Sequence, residues 1–92
     1  MFSAYVLRSL RDHKRYIGLS GRGEQRQREH NAGRTKSTRW RRPFILTYQE
    51  EFETFEEARK REKYFKTAAG RRFLDKVETP FWKEYLKNNL RP

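Results

Sequence analysis

The sequence predicts an α+β fold, a three-stranded antiparallel sheet flanked by helices in the order ββαβαα, with a further helix at the C-terminal end. Two β-rich runs, residues 2–10 and 15–20, are separated only by the polar Arg11, Asp12, His13 and Lys14, the spacing of a hairpin. A third run, residues 44–48, follows Pro43 and is rich in strand formers. The rest of the chain reads as helix, marked by start signals at Thr54 and at Thr79-Pro80.

Within the hairpin, a two-residue loop at Asp12-His13 would set Tyr16 opposite Ser9, Gly18 opposite Leu7 and Ser20 opposite Tyr5. Side chains alternate along a strand, so Tyr5 and Tyr16 then project from one face, and Gly18 leaves a hollow between them. Residues 23–32 suit a short helix closed by Gly33 at the C′ position. It has almost no apolar stripe, and Arg22, Arg26 and His30 share one face at four-residue spacing. Residues 34–42 form a basic loop around Trp40. The helix from Thr54 has Glu56 and Glu57 in its first turn and is expected to run to about residue 69, before Gly70. Phe73, Leu74 and Val77 mark a short helix, and Phe81, Trp82, Tyr85 and Leu86 a last one over about 80–88. The 92 residues are expected to form one domain, with a core over about 2–77 and the last helix appended.

Composition narrows the functional classes. The chain has no cysteine, which removes disulfides and thiolate metal sites. The opening apolar stretch is too short for a signal h-region and lacks a basic lead-in, and nothing approaches the ~20 apolar residues of a membrane span. A soluble, cytoplasmic protein is the expectation. The formal charge is +11, and residues 1–42 hold twelve Lys/Arg against three acids. A basic half of this kind favours a polyanionic partner, most simply nucleic acid. A merely solvated charged surface is the plainer alternative.

Glu62 breaks its local pattern. The apolar stripe of its helix is Phe55, Ala58, Phe65 and Ala69, and Glu62 falls in the vacant place on that stripe. A carboxylate facing a core is costly unless it is ion-paired or holds a metal. The first option is a buried pair with an arginine. The second is a hard-cation ligand, with water and phosphate oxygens completing the shell of one Mg²⁺ or Mn²⁺. Arg26 and His30 supply a phosphate clamp and a proton-handling group. A phenol sharing a pocket with a cation and a metal is expected to have its pKa lowered. Each signal is weak alone, since aromatic residues in strands are usually core and charge-rich helices usually face water.

Together they carry a resemblance. Tyr16-Ile17-Gly18 is the second half of the GIY-YIG signature, and Ser3-Ala4-Tyr5 sits where the first half belongs, with Ser3-Ala4 in place of Gly-Ile. Arg26 follows Tyr16 by ten residues and His30 by fourteen, as in that family, and Glu62 in Arg61-Glu62-Lys63 resembles its single metal-binding glutamate. The chain resembles GIY-YIG nuclease domains over roughly residues 2–77, closest to the small bacterial single-domain members. The resemblance implies a metal-dependent endonuclease cutting phosphodiester bonds of DNA, in repair or recombination or on single strands. It implies catalytic roles for Tyr5, Tyr16, Arg26, His30 and Glu62, with the metal on Glu62. Tyr5 would be the general base or water-orienter and Tyr16 its partner, although either phenol could take the proton. Arg22, Arg34, Lys36, Arg39, Trp40, Arg41 and Arg42 are the expected nucleic-acid contacts, with Trp40 stacking on an unpaired base. The oligomeric expectation is a monomer or weak dimer. Two other functions stand beside the enzyme: a non-catalytic nucleic-acid binder using the same basic half, and an accessory module docking a partner through its last helix.

Overall fold

The computed structural model describes residues 1–21, 23–33 and 38–89. Strands β1 (Phe2–Ser9), β2 (Arg15–Ser20) and β3 (Phe44–Phe52) form one antiparallel sheet in the order β2-β1-β3. Helix α1 (Gly23–Asn31) joins β2 towards β3 through a 3-10 turn at Arg39–Arg41, and α2 (Phe55–Phe65), α3 (Ala68–Val77) and α4 (Thr79–Asn89) follow the sheet. This is the α+β architecture expected from the sequence. Among the described residues, no helix is long and apolar enough to cross a membrane.

The hairpin register differs from expectation by two residues. Tyr5 lies opposite Gly18 and Leu7 opposite Tyr16. The connection is longer than the expected two residues because polar groups inside it hold a wider turn. The Ser9 hydroxyl accepts from the amides of Arg11 and Asp12, the Asp12 carboxylate accepts from the Lys14 amide at 2.9 Å, and His13 takes a positive φ of 63°. A two-residue shift preserves parity, so Tyr5 and Tyr16 still share a face.

A bulge in β3 creates two cores. Val6 pairs with Tyr48 but Leu7 with Leu46, leaving Thr47 as the extra residue. Phe44 therefore packs with Tyr5 and Leu7 on the α1 side of the sheet, while Tyr48 and Phe52 pack with Ala4 and Val6 on the other. β3 also runs four residues beyond its expected end. Gln49, Glu50 and Glu51 are poor strand formers, but β1 offers them a paired ladder as far as Phe2.

The single helix expected over 54–69 is two. Thr54 caps α2 in a reciprocal box with Glu57, as expected of its start. The helix then ends at Phe65, and the Thr67 side chain accepts from the Gly70 amide to start α3. Gly70 sits inside the new helix rather than ending the old one. A Cβ there would lie 1.9 Å from the Tyr64 carbonyl oxygen, so only glycine lets the two helices meet this closely. α2 and α3 close the second core with Phe65 stacked on Phe73, and the Arg61 guanidinium covers Tyr64, Phe65 and Phe73. Phe55 and Ala69, expected on the core stripe, are exposed.

α4 packs on its own chain. Trp82 is buried beneath the hairpin turn, edge-on to His13 and under the Arg8 guanidinium. At the α3–α4 junction Glu78 is fully buried, bonded by Arg8 at 2.8 and 2.9 Å and by Arg15 at 2.9 Å. Burial by itself would raise its pKa, but the bonds from Arg8, Thr47 and Arg15 outweigh that and hold the carboxyl below its ordinary range. The chain thus does bury a carboxylate between arginines, at Glu78 rather than at Glu62.

Candidate active site

Four of the expected residues come together on the α1 side of the sheet. The Tyr5 and Tyr16 rings lie 6.4 Å apart, and His30 of α1 packs against Tyr16 at 4.7 Å and Phe44 at 5.6 Å. Arg26, one helical turn before His30, hydrogen-bonds the Tyr5 hydroxyl and pairs with Glu29 at 2.6 Å. Gly18 does not leave a hollow. The Tyr5 ring lies across it, and a Cβ on Gly18 would fall 2.3 Å from the phenol carbon and oxygen.

Burial separates the two tyrosines. Tyr5 is 1% exposed, whereas Tyr16 is half-buried and lines a cavity of about 660 Å³ at the β2 edge. Burial pushes the Tyr5 hydroxyl above its ordinary pKa, and the hydrogen bond from Arg26 offsets only part of the rise. Among the protein's own groups, withdrawal from water thus outweighs the nearby cation at Tyr5.

His30 is fully buried, with Nδ1 2.7 Å from the Thr38 hydroxyl. Burial first, and the Arg26 charge second, lower its pKa, so the ring is neutral at neutral pH. Two buried nitrogens, His30 Nε2 and Arg26 Nε, lack a hydrogen-bond partner among the described residues. Unsatisfied buried nitrogens are costly and call for an explanation, and both lie in this cluster.

α1 docks without an apolar stripe because β3 is an edge strand and α1 bonds open backbone groups at its start. The Gln27 side chain accepts from the Leu46 amide at 2.9 Å, and the Asn31 amide group both accepts from Phe44 N–H and donates to Phe44 C=O. These two residues, with Thr38 and Glu29, hold the site in place and were missed in the sequence. Gln27 and Asn31 stand at four-residue spacing beside Arg26 and His30, and that spacing was the available signal. Gly33 closes the helix at φ +75°, as expected.

Glu62 stands apart from the four. It rides on α2, whose Ala58 and Phe65 are buried with the helix against the other face of the sheet. Its side chain is 15% exposed and pairs with Lys66 at 2.9 Å, not with a buried arginine. Lys66, its ion-pair partner, lines the same cavity at the β2 edge as Tyr16. Among the described residues there is no group of three or more His, Cys, Asp or Glu able to hold a metal. The donor set thus fits only an ion attached through a single carboxylate, as Mg²⁺ or Mn²⁺ can be, with waters and phosphate oxygens as further ligands.

Of the expected nucleic-acid contacts, Arg39, Trp40 and Arg42 are exposed, Trp40 by 62%. Arg41 is committed within the fold, paired with Asp12 at 2.7 Å and lying over Phe44. Arg22, Arg34 and Lys36 fall outside the described residues.

The family described as the GIY-YIG catalytic domain matches residues 1–76, which hold the tyrosine, arginine and histidine cluster together with Glu62. The chain is also 39% identical over 69 residues to UPF0213 protein SH2523 of Staphylococcus haemolyticus, an alignment covering 74% of this chain and 84% of that protein. No solved structure matches significantly. On the strength of the motif, the fold and these matches, the chain belongs to the GIY-YIG catalytic domain family.

Proposed function

We propose that this protein is a divalent-metal-dependent endonuclease that hydrolyses phosphodiester bonds of DNA. The observation that carries the proposal is the pair of buried, partly unsatisfied nitrogens of Arg26 and His30 behind a half-exposed Tyr16. A guanidinium with spare donors suits a phosphate, and a neutral imidazole suits proton transfer. The Tyr16 hydroxyl orients the attacking water at the cavity. With Nδ1 donating to Thr38, His30 Nε2 is left as an acceptor. Because His30 is fully buried and off the cavity wall, the proton that the water loses reaches it through the hydroxyl of Tyr16, whose ring packs on the imidazole at 4.7 Å. Arg26, steadied by Tyr5 and Glu29, neutralises charge gathering on the phosphoryl oxygens. Tyr5, buried and with its pKa raised, serves as the positioner of Arg26 rather than as the base. Glu62 would hold the cation, which when bound polarises a phosphoryl oxygen.

A non-catalytic binder is the second reading, supported by Trp40 standing exposed between Arg39 and Arg42. One comparison separates the two: wild type and Glu62→Gln, incubated with single-stranded, duplex and branched DNA with and without Mg²⁺ or Mn²⁺. The nuclease reading expects metal-dependent cleavage by the wild type only. It expects equal DNA binding and a nearly unchanged melting temperature, since the one ion pair removed is with an exposed lysine. Cleavage in excess chelator, or by Glu62→Gln, would overturn the mechanism. Binding without cleavage under every condition leaves the binder.

A further inference from the structure

The cavity at the β2 edge is lined by Arg8, His13, Lys14, Arg15, Tyr16, Ile17, Lys66 and Arg71, with no acidic side chain among them. Three of its cations already have partners: Arg8 and Arg15 are neutralised by Glu78, Arg15 also by Asp75, and Lys66 by Glu62. Lys14 and Arg71 are exposed and have no ion-pair partner among the described residues. They come from two separate elements, Lys14 from the hairpin connection and Arg71 from the first half of α3. A cavity of about 660 Å³ exceeds what one small anion needs and matches the pocket sizes, about 300–1,000 Å³, that enclose larger ligands. Tyr16 is the one wall residue that also belongs to the tyrosine cluster.

We propose that this cavity is a second phosphate-binding subsite, in which Lys14 and Arg71 grip the backbone of the nucleic-acid strand as it runs past Tyr16. The basic 3-10 turn with Trp40 holds the strand elsewhere, so the protein grips it at two places. The subsite rests on the proposed action on nucleic acid, but it makes a claim about binding that needs no cleavage.

The test measures binding of a fluorescent single-stranded oligonucleotide across a salt series, in chelator. The variants are Lys14→Gln/Arg71→Gln and, as a charge-matched control, Arg59→Gln/Lys60→Gln on the exposed surface of α2. The first pair should weaken binding on the order of ten-fold at low salt. It should also flatten the salt slope by about 0.7 for each phosphate of the single strand that is no longer neutralised. The control should bind nearly as wild type, and thermal unfolding should be unchanged in both, because all four side chains are exposed. A first pair that binds as wild type, or a control that weakens as much, overturns the subsite. Weaker binding by the first pair alone upholds it even if the wild type never cuts DNA. Wild-type cleavage with intact binding by the first pair leaves the nuclease standing and removes the subsite.

Discussion

At the scale of single residues, the two tyrosines are alike in the sequence and unlike in the fold. Tyr16 reaches the cavity, whereas Tyr5 is sealed beneath α1 with its hydroxyl on Arg26. Tyr16→Phe is therefore expected to lower the cleavage rate by about 10²–10⁴-fold with DNA binding and melting temperature preserved. Tyr5→Phe removes one acceptor from a part-buried guanidinium that keeps Glu29, and should instead cost about 0.5–1.5 kcal/mol in denaturant unfolding. Equal rate losses and equal stabilities in the two variants would refute the division of roles. Trp40 poses a different question, because a tryptophan in a basic loop could as well be core. Its 62% exposure answers it. Trp40→Ala should weaken single-stranded DNA binding by roughly 1–3 kcal/mol, and a drop in melting temperature would contradict that placement.

At the scale of elements, α1 carries Arg26 and His30 but is fastened by two amide side chains rather than by apolar area. Asn31 behaves like one more residue of sheet, satisfying both backbone groups of Phe44. Asn31→Ala leaves that N–H and C=O unpaired beside a helix and is expected to cost about 1–3 kcal/mol. Because the two site residues ride on the same helix, cleavage should fall with it. Hydrogen exchange at the Phe44 and Leu46 amides reads the docking directly, and unchanged protection in Asn31→Ala would rule out this fastening. The split between α2 and α3 works at the same scale: Thr67 and Gly70 stop one helix, start the next and bring Lys66 and Arg71 to one cavity.

At the scale of the whole molecule, Glu78 joins the sheet to the helical layer. Its carboxylate binds Arg8 of β1 and Arg15 of β2 and sits where α3 meets α4. Glu78→Ala strands two part-buried guanidinium groups and is expected to cost about 3–5 kcal/mol. The folded carboxyl titrates below its ordinary value of 4.5. Its contribution is therefore complete above about pH 4.5 and is lost as pH falls towards the lower folded pKa. Acid unfolding of the wild type should steepen in that window. In Glu78→Ala this component should be missing, and an identical acid limb in both proteins would show that Glu78 is not the link.

The sequence by itself determined the α+β class, the face shared by Tyr5 and Tyr16, and the common helix face of Arg26 and His30. These follow from periods of two and 3.6, which are local properties of the backbone and survive a two-residue error in the hairpin register. It also carried the family motif. Only the tertiary structure decided which carboxylate is buried between arginines, which tyrosine meets solvent, and how a polar helix docks. Those depend on partners far along the chain, as with Glu78 and Arg8, seventy residues apart. The Thr47 bulge, which swaps the faces of β3, and the Gly70 contact, which divides one expected helix into two, are likewise set by neighbours. No local pattern encodes a neighbour, because burial and pairing are settled only when the layers close on one another.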